Sequence, residues 1–204
     1  MAVEKQNKNG LKLKQDLAKG SFETLYILYG EEAYLREYYL RQLRKKVVDE
    51  TFADFNLIEL DGKTLTLESL TEAVDSYPAM SERKLIIVTD FNIYAPPASF
   101  GDQLIDLLSD LPDYVCLVFY FDILEAKPDK RTKMYKLLEK KACTAEFARL
   151  EEKELIERLE RRARELNCII SDEDAAYMIF LCGTSLTNLM GGGSALHDRR
   201  DQAL

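Results

Sequence analysis

The strongest constraint on this chain is a series of short β-prone runs, each separated from the next by an amphipathic helical segment. Leu25-Tyr26-Ile27-Leu28-Tyr29 is apolar at every position and stops at Gly30. Leu85–Val88 and Val115–Phe121 are built the same way. A strand with water on one face alternates apolar and polar residues. A run that is apolar throughout suits a strand buried on both faces. Phe55–Leu60 and Cys143–Phe147 read as two further strands. Between these runs, Leu35, Tyr39, Leu43 and Val47 repeat every fourth residue over 32–48, with Arg36, Arg41, Arg44, Lys45 and Lys46 on the outer face. Thr66 is placed to cap a helix, with Leu65 and Leu70 as a hydrophobic staple. Leu67, Leu70, Val74 and Tyr77 line that helix, and Pro78 forbids its regular continuation. Leu104, Leu107, Leu108 and Leu111 mark another helix, and a basic one spans 129–141. Strand–helix alternation of this kind predicts an α/β fold with a mainly parallel sheet and helices on both faces.

The two ends of the chain differ from this middle. Residues 1–10 read as a mobile arm, followed by a short helix with Leu11, Leu13 and Leu17 that Gly20 stops. After Leu150 the strands cease. Leu155, Leu159, Ala163 and Leu166 define a helix with Glu151, Glu152 and Glu154 at its start and Arg158, Arg161, Arg162 and Arg164 toward its end, biases that both suit the helix dipole. Ser171 and Asp174 form a capping pair for a further helix through Leu181. The reading is therefore an α/β domain over 1–148 and a partial all-helical domain over 149–190, whose third helix is cut short at Met190. Leu181, Leu186 and Leu189 would then lack part of their cover. Residues 191–204, opening Gly191-Gly192-Gly193-Ser194, read as a non-native or disordered tail.

Composition narrows the chemistry. The longest apolar runs fall well short of the roughly 20 residues a spanning helix needs, and Met1–Gly10 has no apolar stretch of the secretory kind, so a cytoplasmic location without membrane partners is expected. A net charge of −8 makes the whole chain a poor non-specific ligand for nucleic acid. Cys116, Cys143, Cys168 and Cys182 form no CxxC pair and read as reduced structural thiols, and His197 is the one histidine, so no metal site is expected. In nucleotide-binding α/β proteins a Gly-rich turn after the first strand places backbone N–H groups and a lysine around phosphates. Here that turn reads Gly30-Glu31-Glu32-Ala33-Tyr34-Leu35, with two carboxylates where the phosphates would sit. Gly62-Lys63-Thr64 resembles the end of such a loop, but the glycine required five residues earlier is Leu57. Helix capping accounts for Glu31-Glu32 and Asp172-Glu173-Asp174 more simply than acid–base chemistry. No catalytic, cofactor-binding or metal-ligating residue is expected, and no cofactor.

Three segments are candidates for binding instead. Lys127, Lys130, Arg131, Lys133, Lys136, Lys140 and Lys141 form a basic stripe opposed by Asp129 and Glu139. It is a candidate face for DNA or an acidic partner, or a solvated helix face. The arginines at 158–164 stand under the same two readings. Ser76-Tyr77-Pro78-Ala79-Met80-Ser81 joins a helix to a buried strand. A proline-stiffened turn with adaptable apolar side chains is a good protein anchor. It is equally a connection that folds back on the core.

Taken in order, LYILYGEEAYLREYYL at 25–40, FNLIELDG at 55–62, YPAMSERKLIIV at 77–88, LVFYF at 117–121, DKRTKMYKLLEKK at 129–141 and the stretch 151–189 resemble the delta subunit of the bacterial DNA polymerase III clamp loader. The resemblance covers about residues 11–190. It implies an AAA+-like first domain, a small helical second domain and a helical collar that this chain lacks. It also implies a part in DNA replication without ATP hydrolysis: a hydrophobic pair at a helix end enters a pocket of the sliding clamp, the beta subunit, and helps open the ring. By position that pair falls on Ala79 and Met80, flanked by Tyr77 and Pro78. The family often carries a bulkier residue at the position of Ala79, which leaves Met80 as the main anchor. Lys140-Lys141-Ala142-Cys143 stands where a Ser-Arg-Cys arginine-finger motif would be. The other loader subunits and, through the assembly, DNA are the further partners implied. A degenerate nucleotide-dependent enzyme and a DNA-binding protein working through the basic stripe are the competing readings.

Overall fold

The computed structural model describes residues 3–190, with side chains from Gly10 onward. The described residues divide into two compact units, one running up to Gly30 and over Leu35–Phe147, the other made of Glu31–Tyr34 and the residues from Ala148 onward. The tail expected over 191–204 lies outside the described residues.

The first unit is an α/β sandwich around a five-stranded sheet. In chain order its elements are α1 (Val3–Lys19), β1 (Leu25–Tyr29), α2 (Ala33–Val47), α3 (Ala53–Asn56), β2 (Leu57–Asp61), α4 (Leu67–Asp75), β3 (Lys84–Thr89), α5 (Gln103–Ser109), β4 (Val115–Tyr120), α6 (Lys133–Lys141) and β5 (Cys143–Glu146). The strands lie in the order β2-β3-β4-β1-β5 and every pairing is parallel. β1, β3 and β4 are buried almost throughout, as their unbroken apolar runs require.

Successive side chains of a strand face opposite sides of the sheet. Leu25, Ile27, Ile86, Val88, Leu117 and Phe119 form one core with Leu70 and Val74 of α4, Leu104 and Leu108 of α5, and Met134 and Leu138 of α6. Leu13 and Leu17 of α1, together with Leu35, Leu40 and Leu43 of α2, are buried as well. Tyr26, which faces away from that core, donates its hydroxyl proton to Asp16 of α1 at 2.8 Å. Thr66 caps α4 as its sequence predicts: its Oγ1 accepts from the Ser69 N–H at 3.1 Å, while Ser69 Oγ accepts from the Thr66 N–H at 3.2 Å.

Several expectations need correction. The arm over 1–10 is helical from Val3, because Lys, Gln and Glu favour helix without any apolar stripe to advertise it. The second strand begins at Leu57 rather than Phe55, and Phe55 and Asn56 end the short helix α3. Helix α4 stops at Asp75, so Tyr77 is off the helix and exposed instead of lining it. The basic helix begins only at Lys133, since Thr132 caps it by accepting from the Tyr135 N–H at 3.1 Å.

The second unit contains α7 (Glu152–Glu165), α8 (Asp172–Cys182) and a helical turn over 186–190. Ser171 caps α8, accepting from the Asp174 N–H at 3.1 Å and donating its hydroxyl proton to the Asp174 carboxylate at 2.7 Å. Leu155, Leu159, Ala175 and Ile179 form its interior. Leu186 and Leu189 are buried too, against the expectation that they lack cover, whereas Tyr177, Phe180, Leu181 and Cys182 are exposed. Among the described residues no helix is long and apolar enough to cross a membrane.

Candidate functional site

Parallel pairing sets all strand starts on one edge of the sheet. Leu57 of β2 stands opposite Leu85, and Lys84 of β3 opposite Val115. The segments just ahead of these residues therefore share the N-terminal edge: α3, the connection 76–83, and Tyr114. The predicted anchor residues Tyr77, Pro78, Ala79 and Met80 all fall there. Met80 is 85% exposed and Tyr77 81%, while Pro78 and Ala79 are half-buried. The Tyr77 ring leans on the Tyr114 ring with centroids 5.0 Å apart. Phe55, 70% exposed, belongs to the same edge.

Buried polar groups fix the backbone beneath these exposed side chains. Asn56 is 0% exposed. Its Oδ1 accepts from the Ala79 N–H at 2.8 Å and its Nδ2 donates to the Ala79 carbonyl at 2.8 Å. This side-chain amide thus pairs with residue 79 as a neighbouring strand would. Met80 follows in the left-handed region at φ 50°, a conformation that strains a residue with a Cβ and persists only where its surroundings impose it. On the other side Lys84, 1% exposed, turns its Nζ to the open end of α4. It donates to the carbonyls of Ala73 at 2.5 Å and Val74 at 2.9 Å, to Ser76 Oγ at 2.9 Å, and to the Ser76 carbonyl. An ammonium at a helix C-terminus meets both the unpaired carbonyls and the negative end of the dipole. Burial lowers the Lys84 ammonium below the usual lysine range, and Asp75 opposes that shift. Arg83 Nη1 adds a bond to the Phe22 carbonyl at 2.6 Å.

Sequence reading missed Asn56 and Lys84. Asn56 sits in a run that looks like strand, and Lys84 looks like the polar residue ahead of one. The available signal was a lysine a few residues beyond a proline-terminated helix, where free carbonyls need a donor.

The opposite edge, where a phosphate loop would lie, is occupied by the chain's own polar groups. Arg36, expected on the outer face of α2, is instead buried and donates to the Gly30 carbonyl and, at 3.0 Å, to the Asp122 carbonyl. Asp90, at φ 57°, turns its Oδ1 back to accept from the N–H groups of Asp122, Ile123 and Leu124 at 2.8, 3.0 and 2.9 Å. Gly30 has φ 123°, and a Cβ there would stand 2.4 Å from the Phe147 carbonyl oxygen. Glu31 is exposed and Glu32 buried just before α2.

The basic stripe divides. Lys127, Lys130, Arg131, Lys133, Lys136, Lys140 and Lys141 are all exposed, but the first three precede α6. Lys127 pairs with Glu125 at 3.1 Å and Arg131 with Asp129 at 2.9 Å. Lys133, Lys136 and Lys140 recur on one face of α6 opposite Met134 and Leu138, and Lys141 is its last residue. In the second unit Arg162 pairs with Glu165 at 3.1 Å, and Arg164 lies 3.9 Å from Glu160.

Comparison with known proteins agrees with this architecture. The family described as DNA polymerase III, delta subunit, matches residues 26–148. The DNA polymerase III subunit delta of Bacillus subtilis is 28% identical over 180 residues, covering 86% of this chain and 52% of that protein. The solved Bacillus subtilis DNA clamp loader delta protein superposes with a TM-score of 0.74 at 26% identity, over 91% of this chain and 56% of its own. The chain thus spans about half the length of the relatives it matches. A solved form of Thermotoga maritima RuvB is similar at a TM-score of 0.53 and 15% identity over 96% of this chain and 61% of that one. Domain III of Thermotoga maritima DnaA is similar at 0.53 and 12% over 97% and 85%. These two likenesses speak for an AAA+-like fold alone. With its five-stranded parallel sheet and a family match over most of its first unit, this chain belongs to the DNA polymerase III delta subunit family of clamp-loader proteins, which serve DNA replication.

Proposed function

We propose that this chain binds and helps open the DNA polymerase sliding clamp, the beta subunit, through the tip at Tyr77, Pro78, Ala79 and Met80, without hydrolysing ATP. The observation that carries this reading is Met80: a flexible apolar side chain almost wholly exposed on a backbone pinned from beneath by Asn56. An exposed thioether on a fixed backbone loses little conformational freedom on binding and adapts to an apolar pocket. Tyr77 and Pro78 add contact area around it, with Ala79 a minor contributor. No catalytic residue is assigned, and the chain works as a binding subunit. In this reading the α/β unit is the AAA+-like domain and the helices after residue 148 belong to a second, helical domain. The other loader subunits are partners of the whole protein, acting in the cytoplasm.

The lysines of α6 support a second contact, with a polyanion such as the DNA held by the assembly, because their shared face is exposed. A contact of this kind weakens steeply with added salt.

The direct test is surface plasmon resonance of the chain over the sliding clamp of its own organism. The expected result is saturable binding that Mg-ATP does not alter. Absence of binding to the clamp would sink the proposal.

A further inference from the structure

We infer that Asn56 is a positioning residue for the clamp-binding tip: its buried amide, which touches no partner, holds Met80 in the orientation that binding uses. This rests on the proposed reading of the tip as the clamp anchor. Three features of one edge carry it. First, Asn56 makes two 2.8 Å bonds to a single residue, Ala79, which lies 23 positions away and immediately before Met80. The N–H belongs to the 78–79 peptide and the carbonyl to the 79–80 peptide, so the pair holds both planes that flank the Ala79 Cα, where a lone bond would hold one. Second, Met80 sits at φ 50°, which an L-residue adopts only under constraint. The amide pair is the constraint on its N-terminal side, and on the other side Arg83 is tied to Phe22. Third, Asn56 is buried while Phe55, its neighbour, is exposed beside the tip, so α3 presents one polar anchor inward and one aromatic surface outward. The amide therefore decides where Met80 points, and clamp affinity depends on it through Met80.

Positioning and simple folding support differ in how they combine. If Asn56 acts by presenting Met80, removing Met80 removes most of the reason Asn56 matters, and the two substitutions are non-additive in clamp affinity. The experiment is a double-mutant cycle on the chain, with Asn56→Ala and Met80→Ala, read as clamp affinity by surface plasmon resonance. Hydrogen exchange at the Ala79 amide runs alongside. Asn56→Ala should weaken binding about tenfold, by raising the ordering cost of association. In the Met80→Ala background the same change should weaken it less than about twofold. Exchange at Ala79 should accelerate while the β3 amides stay protected. Asn56→Ser, which cannot make both bonds, repeats the test should the alanine variant not fold.

Full additivity, or unaltered affinity in a folded Asn56 variant, would overturn the inference while leaving the clamp-binding reading intact. Failure of both Asn56 variants to fold would make it a folding residue and overturn it as well. If Met80→Ala itself binds the clamp like the wild type, the anchor reading fails and the inference falls with it.

Discussion

At the C-terminal edge of the sheet, Arg36 and Asp90 turn their polar atoms onto nearby backbone, and Gly30 lies so close to Phe147 that no side chain fits between them. At the N-terminal edge Asn56 and Lys84 also satisfy backbone groups, yet there Met80, Tyr77 and Phe55 stand exposed above them. Both edges use buried polar side chains to fix irregular chain. One is finished inward, with its polar side chains bonded to the chain's own backbone. The other is finished outward, holding apolar side chains in water. Exposed apolar residues on a held backbone are poor for solubility and good for binding. Under the proposed reading, the binding edge of this domain lies opposite the edge where nucleotide-binding α/β proteins hold their phosphates.

The largest effect that can break this comparison is expected at Gly30. Gly30→Ala places a Cβ 2.4 Å from backbone at a positive φ, where neither side can yield cheaply. We predict a loss of more than about 3 kcal/mol in urea unfolding, from overpacking together with strain. A near-neutral effect would mean that the C-terminal edge is looser than described.

At the other edge, Lys84→Met keeps the aliphatic volume and removes the donor to Ala73, Val74 and Ser76. Leaving buried carbonyls without a donor should destabilise the chain by about 2 kcal/mol. Clamp binding should also weaken, because the tip follows directly from this helix end. Full stability in Lys84→Met would show that the ammonium only fills space.

A pH series sharpens the comparison further. Burial pushes the thiols of Cys116 and Cys143, in the strands between the two edges, up to about 12. Below the ordinary thiol value of 9.0 both the folded and the unfolded chain keep these protons, so their contribution is fully present. Above it the unfolded chain releases protons that the folded chain retains, and stability falls as pH climbs toward about 12. Tyr26 and Tyr94, which are buried, and the partly buried Tyr29, all raised chiefly by desolvation, act in the same sense. Lys84 acts in the opposite sense. Its folded value is lowered, so the folded chain releases its proton first, and the cost of burying the ammonium is relieved as pH rises toward 10.5. Urea unfolding from pH 8 upward should therefore show falling stability, with the steeper fall in Lys84→Met. Equal slopes would contradict the burial of Lys84.

The buried strands were legible because an unbroken apolar run has few other uses, and the caps at Thr66 and Ser171 because their partners lie three residues on. The tip was legible only in part. Tyr77 and Met80 stood out as apolar residues around a proline, but nothing local said whether they faced the core or water. That depends on Asn56, 23 positions away from Ala79, and on where α4 ends. Helix α1 was missed at its start since Lys-rich helix carries no apolar period there. The burial of Leu186 and Leu189 was missed because it follows from tertiary packing and not from their own pattern.

The central claim is that Met80 anchors the clamp from an exposed, prearranged position. The most direct measurement is the clamp affinity of Met80→Asp by surface plasmon resonance, with circular dichroism and urea unfolding as controls for the fold. An exposed site tolerates the change within about 0.5 kcal/mol of stability, whereas a carboxylate forced into an apolar pocket should weaken binding by about a hundredfold or more. The expected result is a folded protein that no longer holds the clamp. A folded Met80→Asp protein that binds like the wild type would contradict it and leave residues 77–81 as a connection between α4 and β3.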